Sequence, residues 1–547
     1  MTDLDTLADE LLDVIAAEDP LNDALEGYPG IGHLLGDPRT QAQQELRARA
    51  VDVARRARAL DRVDDPVTLA VLLHQADDVV ARIDAGLLAI SLADYQSSPI
   101  GRLLGALPET RPVGAEQEEG YLHRLAGIPA YLTAAAQRHQ EAIAAGRTPV
   151  AARVRHALTR LDDHLADPAA DPLRRPPLGE PAAARRDRLL HDVVRPALAA
   201  YRDAVADTVL AHGRASDRPG LCWLPDGEAT YAALTRMHCT TSATAKELHQ
   251  LGRHKIEEIE AEYATVGAAA LGIDDPAQVR ARLRHDPLLR WSDAAELVAA
   301  TRAATAHAEQ QAHRWFGLLP DHPCAVDPSA DPYAPSAYYL PPAADGTRPG
   351  TCYVNVADAP SRGRYLTEAL TFHETVPGHH IQFGVAQSLS GLPALRRFAW
   401  INAYVEGWGL YAERLADEMG LYTSQLMRLG MLAMDSLRTA RLVVDTGLHA
   451  FGWSRQDAVD YLTAHTVMDD AEAQRETDRY IDMPGQALSY LVGRMEIQRV
   501  RADAERSLGA DFDLRAFHDT VLGSGALPMD VLADVVSAWV STVTARR

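Results

Sequence analysis

Four titratable side chains lie within eight positions of one apolar segment, a costly arrangement unless they bind something. The segment, residues 364–386, reads RYLTEALTFHETVPGHHIQFGVA, and its apolar residues recur at helical spacing. It carries His373, Glu374, His379 and His380. A histidine followed directly by a glutamate resembles the start of the H-E-x-x-H zinc motif, in which two histidines bind the ion and the glutamate is the general base. We therefore predict a metal site here, with Glu374 as the base.

The spacing of these histidines does not fit a regular helix. His379 would lie about 240° around the axis from His373, and His380 about 10.5 Å further along it. Nitrogens that share one zinc ion are at most about 4 Å apart. Pro377 cannot donate to the carbonyl of His373 and Gly378 tolerates unusual dihedrals, so we expect the helix to bulge or kink here. A two-residue bulge returns His379 to the face of His373, which predicts His379 as the second ligand and leaves His380 as the alternative.

The next helical segment offers a carboxylate for the third protein ligand that zinc hydrolases usually have. Glu406 lies in AYVEGWGLYAERL, an apolar and aromatic stretch in which a lone carboxylate is costly. Gly407 and Gly409 would allow another element to approach closely. Glu413 shares the helix face of Glu406 two turns later, as a further ligand or as a partner of one. The predicted cofactor is one zinc ion per chain.

Most of the 547 residues predict helix, since apolar residues recur three and four apart between proline clusters. A proline-rich stretch at residues 319–350 predicts a long ordered loop. It leads into TCYVNV, Thr351 to Val356, which we predict to be one edge of a small sheet. The predicted fold is mainly α: a helical body with an N-terminal half, residues 1–215, and a metallohydrolase half, residues 216–547, in one compact unit.

Charge and the N-terminal pattern bear on partners and location. The chain has 54 basic and 76 acidic residues, a net charge of -22, which disfavours nucleic acid and anionic membranes as partners. The first twenty residues are acidic and amphipathic, unlike a secretory signal, and no apolar run is long enough to span a membrane. We expect a cytoplasmic protein with a small peptide or amide substrate and without a nucleic-acid or membrane partner. The oligomeric state stays open.

The strings ALTFHETVPGHHIQ and AYVEGWGLYAERL resemble the large bacterial family known as domain of unknown function 885. That family is similar to the helical gluzincin metallopeptidases, and blocks that resemble it run over most of this chain. The resemblance implies a two-part helical body around a deep central cleft with a gluzincin-like catalytic core. It also implies zinc on His373, His379 and Glu406, with Glu374 as the base.

Further candidates lie outside these two strings. Tyr490 and His518 lie in blocks where related gluzincins keep a tyrosine and a histidine, and the resemblance implies that each could stabilise an oxyanion. The strand Thr351 to Val356 could line the cleft and pair with an extended peptide, which makes Asn355 a candidate substrate contact.

Arg441, Asp445 and His449 recur every four positions on one predicted helix. Asp445 could orient a metal-binding histidine, or an arginine could bind a substrate carboxylate. The same spacing equally fits a salt-bridged helix face. A clamp by Arg441 or Arg438 on a terminal carboxylate would make the protein a carboxypeptidase.

The predicted reaction is hydrolysis of an amide (peptide) bond of a small substrate by a metal-activated water. One alternative keeps the metal but changes the substrate to a non-peptide amide or a specialised metabolite. The other is a scaffold that binds a peptide without cutting it.

Overall fold

The computed structural model of the protein describes residues 2–21, 31–93, 97–330, 334–343 and 348–546. Helix makes up 71% of it, and one small sheet has three strands. The prediction of a mainly α protein with a small sheet is therefore confirmed. Of the helices in the described ranges, none combines the length and the apolar character that a membrane span needs.

The first part of the chain folds into helices that begin at ordinary caps. The side chain of Asp65 accepts a hydrogen bond from the N–H of Thr68, and Pro66 occupies the first helical turn. Two π-helical segments, at residues 190–194 and 205–209, follow the seventh and eighth helices directly. The helices are α1 Asp3–Glu18, α2 Thr40–Arg58, α3 Pro66–Ala85, α4 Pro99–Ala106, α5 Gly114–Ala144, α6 Ala151–Ala166, α7 Glu180–Leu189 and α8 Arg195–Ala204.

The second part of the chain contains the segments that the sequence motif identified. Its helices are α9 Gly227–Cys239, α10 Ala245–Leu271, α11 Pro276–His285, α12 Ala294–Ala312, α13 Thr367–Glu374, α14 His379–Ser388, α15 Ala394–Arg397, α16 Asn402–Glu418, α17 Gln425–His449, α18 Arg455–His465, α19 Asp470–Asp482, α20 Ser489–Leu508, α21 Leu514–Leu522 and α22 Met529–Ala545. Helix α17 is central: every residue from Leu429 to His449 except Leu437 is buried. Its polar side chains therefore need partners inside the protein.

Apolar clusters join the two predicted halves. Val71 of α3 packs in one cluster with Phe372 and Trp408, and Ala142 of α5 packs in another with Leu410. Because these contacts cross residue 215, the halves share core packing. The boundary itself stays a prediction.

The small sheet has the order β1–β3–β2, with β1 Ala325–Ser329, β2 Ala337–Leu340 and β3 Thr351–Asn355. Strand β1 runs parallel to β3 and β2 runs antiparallel to it. The prediction that Thr351 to Val356 forms an edge strand is wrong, because the proline-rich stretch folds back and supplies a neighbour on each side. Strand β3 therefore has no free edge on which an extended peptide could pair.

Candidate metal centre

The predicted helix over residues 364–386 is interrupted at the motif. Helix α13 ends at Glu374 and α14 begins at His379, with a turn between them. A Cβ on Gly378 would lie 1.9 Å from the carbonyl oxygen of His373, so only glycine allows the second helix to start against the first. The interruption that Pro377 and Gly378 predicted is present, but it is a turn between two helices and not a bulge within one.

This turn brings two imidazoles onto one carboxylate. The Nε2 atoms of His373 and His379 lie 3.6 and 3.8 Å from Oε2 of Glu406. The three ligand atoms all lie within 4.8 Å of one another, and we call these residues the metal triad. Distances of 3.6 Å and more are too long for hydrogen bonds, but they are close to those between atoms that share one metal ion.

His380 faces away from the metal triad. Its Nδ1 lies 3.0 Å from the hydroxyl of Tyr339 on β2, and its Nε2 lies 3.0 Å from the backbone carbonyl of His322. Both ring nitrogens are therefore engaged by the fold. Of the two candidates for second ligand, the geometry favours His379.

Each histidine of the metal triad is held by its other ring nitrogen. Nδ1 of His373 lies 2.8 Å from Oε1 of Glu413, and Nδ1 of His379 lies 3.1 Å from Oε1 of Gln382. Because a carboxylate and an amide oxygen only accept, each Nδ1 donates and each Nε2 is left as a lone-pair donor for a metal. Glu413 had been predicted as a ligand or partner and takes the partner position. Gln382 had not been predicted, although it follows His379 by three residues in the same motif.

Two glycines of α16 make room for this arrangement. A Cβ on Gly409 would lie 2.6 to 2.9 Å from the ring atoms of His373, and one on Gly407 would lie 2.5 Å from the backbone of Gly493 on α20. Such distances are shorter than van der Waals contact. Gly409 therefore admits the imidazole of His373, while Gly407 admits the neighbouring helix.

Burial and charge set the protonation states at the site. Burial, with the negative charge of Glu406, raises the pKa of Glu374 to about 7. Burial opposes ionisation of Glu406 too, but the imidazoles of His373 and His379 beside it hold its pKa at about 2. Burial lowers the pKa of His379 to about 4. At neutral pH, Glu406 is ionised and His379 is neutral, the forms in which each can bind a metal. Burial opposes the charged form of His373, but the carboxylates of Glu406 and Glu413 raise its pKa to about 9, so a metal that binds there would displace a proton.

Tyr490 lies at the metal triad, as the sequence predicted. Its ring stacks on that of His373 with centroids 6.5 Å apart, and burial and the nearby charge of Glu406 raise the pKa of its hydroxyl. The guanidinium carbons of Arg441 and Arg438 lie 4.5 and 5.5 Å from the centroid of the same ring. Tyr490 is thus held between the metal triad and two arginines.

The structure engages His518 elsewhere. Its Nδ1 lies 2.9 Å from the carbonyl of Trp315 and its Nε2 lies 2.9 Å from the hydroxyl of Tyr411. The ring is fully buried and stacks on Phe316, and burial lowers its pKa to about 4. Since both nitrogens are bonded in the core, we leave His518 out of the proposed catalytic residues.

The side chain of Asn355 forms hydrogen bonds with the backbone next to the small sheet. Its amide nitrogen donates to the carbonyl of Ala334, and its amide oxygen accepts from the N–H of Ala357. These bonds hold the backbone on either side of the end of β3. Asn355 is therefore left out of the proposed substrate contacts.

Arg441, Asp445 and His449, predicted to share one face of α17, each contact different groups. Asp445 accepts from the hydroxyl of Tyr231 at 2.6 Å and from a backbone N–H, so its carboxylate is not what orients His373 or His379. Arg441 binds Glu476 at 3.0 Å. Both ring nitrogens of His449 hydrogen-bond to backbone groups.

Two solved structures are similar to this protein in fold. One is described as the putative lipoprotein from Colwellia psychrerythraea: 24% identity, 98% of this chain and 99% of that chain covered, TM-score 0.91. The other is described as a putative lipoprotein of unknown function from Shewanella oneidensis: 18% identity, 98% and 100% covered, TM-score 0.72. At these identities the likeness is one of fold. Comparison with curated proteins gives no match.

These comparisons correct one prediction. Both solved structures are described as putative lipoproteins, a class of proteins attached to membranes, whereas the sequence pattern predicts a cytoplasmic protein. The cytoplasmic prediction is wrong, because the N-terminal pattern on which it rested says little about the location of the folded body. The family model described as bacterial protein of unknown function (DUF885) matches residues 20–536. The chain therefore belongs to the DUF885 family of bacterial proteins.

Proposed function

We propose that this protein is a zinc-dependent hydrolase that cleaves an amide bond of small peptides. The observation that carries the proposal is the metal triad: two imidazoles, each fixed through Nδ1, turn their free Nε2 atoms toward one carboxylate. The proposal includes a gluzincin-like catalytic core in a two-part helical body around a central cleft. The partial exposure of Glu406, 13% of its side chain, supports an opening to this site.

The donor set of the metal triad fits zinc. Two histidines and one glutamate are a known ligand set of catalytic zinc, and they leave a coordination position for water. The separations of the ligand atoms are within about 1 Å of what one zinc ion requires. When bound, zinc supplies a Lewis acid that polarises a carbonyl and lowers the pKa of water.

Glu374 is the proposed proton carrier. It follows His373 directly, it is 8% exposed, and no group in the described ranges donates a hydrogen bond to its carboxylate. In the proposed reaction it accepts a proton from the attacking water and gives it to the leaving amine.

Tyr490 is the proposed group that stabilises the developing negative charge. Its hydroxyl lies at Glu406, beside the ligand atoms, and can donate to the carbonyl oxygen of the substrate as negative charge develops there. The arginines against its ring fix its position.

The test is Glu374→Gln, assayed on a panel of short peptides with free and blocked termini. The variant should keep its zinc but lose about 100- to 10,000-fold in kcat, since the proton carrier is gone. Glu368→Gln is the matched control, because Glu368 is on the same helix but binds Thr423 at the surface. Equal activity of Glu374→Gln and wild type would refute the role of Glu374. If purified wild type fails to bind stoichiometric zinc even after incubation with the metal, the proposal itself is refuted.

A further inference from the structure

Two arginines of α17 lie one turn apart beside the metal triad. Arg438 and Arg441 are 5% and 6% exposed, so both guanidinium groups are buried. Both lie against the ring of Tyr490, which stacks on the imidazole of His373. A group bound by these arginines would therefore be separated from the proposed metal ligands only by the ring of Tyr490.

Each arginine keeps a buried nitrogen without a partner. In Arg441, Nε donates to the hydroxyl of Tyr480 and Nη2 to Glu476, but Nη1 has no hydrogen-bond acceptor in the part of the chain that the structure describes. In Arg438, the same holds for Nε. A buried N–H without an acceptor costs about 1–3 kcal/mol, so a ligand that supplies acceptors here is favoured.

Around these two arginines, the guanidinium groups also outnumber the carboxylates that pair with them. Oε2 of Glu476 lies 3.0 Å from Arg441 and 3.2 Å from Arg479, so one carboxylate serves two guanidinium groups. The carboxylate nearest to Arg438 is Glu413 at 3.9 Å, and it is already bonded to His373. An additional anion would balance the surplus of positive charge.

We propose that Arg441, with Arg438, binds a carboxylate of the substrate beside the scissile bond. A carboxylate supplies two acceptor oxygens and one negative charge, and guanidinium groups bind it through short, charge-assisted hydrogen bonds. The inference rests on the proposed function and narrows it: the substrate is a short peptide or another N-acyl amino acid with a free C-terminal carboxylate. The protein then acts at the last amide bond, as a carboxypeptidase.

The test is binding to the zinc-loaded Glu374→Gln variant, which does not depend on cleavage. The probes are N-acetyl-alanyl-alanine and its C-terminal carboxamide, measured by isothermal titration calorimetry. The acid should bind about 10- to 100-fold more tightly than the amide. Adding Arg441→Met should remove that preference, while Arg428→Met should keep it, because Arg428 is on the same helix but pairs with Asp417.

Arg441→Lys covers the case in which Arg441→Met does not fold. It keeps the charge but loses the planar fork, so the preference for the acid should fall by several-fold with the affinity for the amide unchanged. An unchanged ratio of acid to amide affinity in the Arg441 variants would overturn the inference, since the acid would then be bound by the metal alone. If wild type cleaves no peptide of the panel but the variants show an Arg441-dependent preference for the acid, the proposed function is refuted and the carboxylate site is retained.

Discussion

Two buried polar clusters of this protein differ in whether their polar atoms lie within hydrogen-bond distance of one another. In the first, which we call the Asp445 cluster, the hydroxyl of Tyr231 and the N–H of Gly485 lie 2.6 and 3.0 Å from one carboxylate oxygen of Asp445. In the metal triad, by contrast, the two histidine nitrogens lie 3.6 and 3.8 Å from the carboxylate. The first cluster is complete without a ligand and the second is not.

The difference distinguishes a structural cluster from the proposed metal-binding one. A buried network whose members all have partners stabilises one arrangement of the fold. In the metal triad, the outer partners Glu413 and Gln382 fix the imidazoles, while the inward atoms stay too far apart to bond to each other. That arrangement costs folding energy unless a ligand occupies the middle. Substitutions in the two clusters should therefore affect different quantities.

The largest effect on metal binding is expected from Glu406→Gln. The variant keeps the shape of the side chain but removes the charged ligand. Zinc affinity, measured by competition with a chromophoric chelator, should fall by more than the 10- to 100-fold or so that an outer partner contributes. Glu418→Gln on the same helix, where Glu418 pairs with Arg501 near the surface, should leave it unchanged. Equal affinities of the two variants would remove Glu406 from the ligand set.

A smaller effect is expected from Glu413→Gln. The amide oxygen can still accept the Nδ1–H of His373, but the negative charge that strengthens the imidazole as a ligand is gone. Zinc affinity should fall by about 10-fold in the same competition assay, the lower end of the range for such partners. Affinity as high as that of Glu418→Gln would mean that the contact between Glu413 and His373 is only structural.

The smallest effect is expected from Tyr231→Phe in the Asp445 cluster. The N–H of Gly485 still reaches the carboxylate, so one hydrogen bond is lost and the free energy of unfolding should fall by about 0.5–1.5 kcal/mol. Urea denaturation gives this value, and zinc affinity should not change. A fall in zinc affinity without a fall in stability would contradict the division between the two clusters.

The sequence was most informative where local chemistry decides the backbone. Pro377 and Gly378 impose a break whatever surrounds them, which is why the choice between His379 and His380 could be reasoned in advance. It was least informative where distant segments meet. His518 bonds to Trp315 and Asp445 bonds to Tyr231, among their other partners, and these two lie 203 and 214 positions away in the chain.

The sheet shows the same limit. TCYVNV predicted a strand correctly, but whether a strand lies at an edge depends on which other segments pair with it. Here both neighbours come from a proline-rich stretch that composition marked as a loop. Strand pairing depends on tertiary context, which no local pattern carries.

The most direct test of the metal triad is the zinc content of three proteins: wild type, His379→Ala and His380→Ala. The two variants remove the same side chain at adjacent positions of α14, so each controls for the other. We expect one zinc ion per chain in wild type and in His380→Ala, and a large loss of zinc in His379→Ala measured by mass spectrometry after gel filtration. Full zinc content in His379→Ala, or loss confined to His380→Ala, would contradict the assignment.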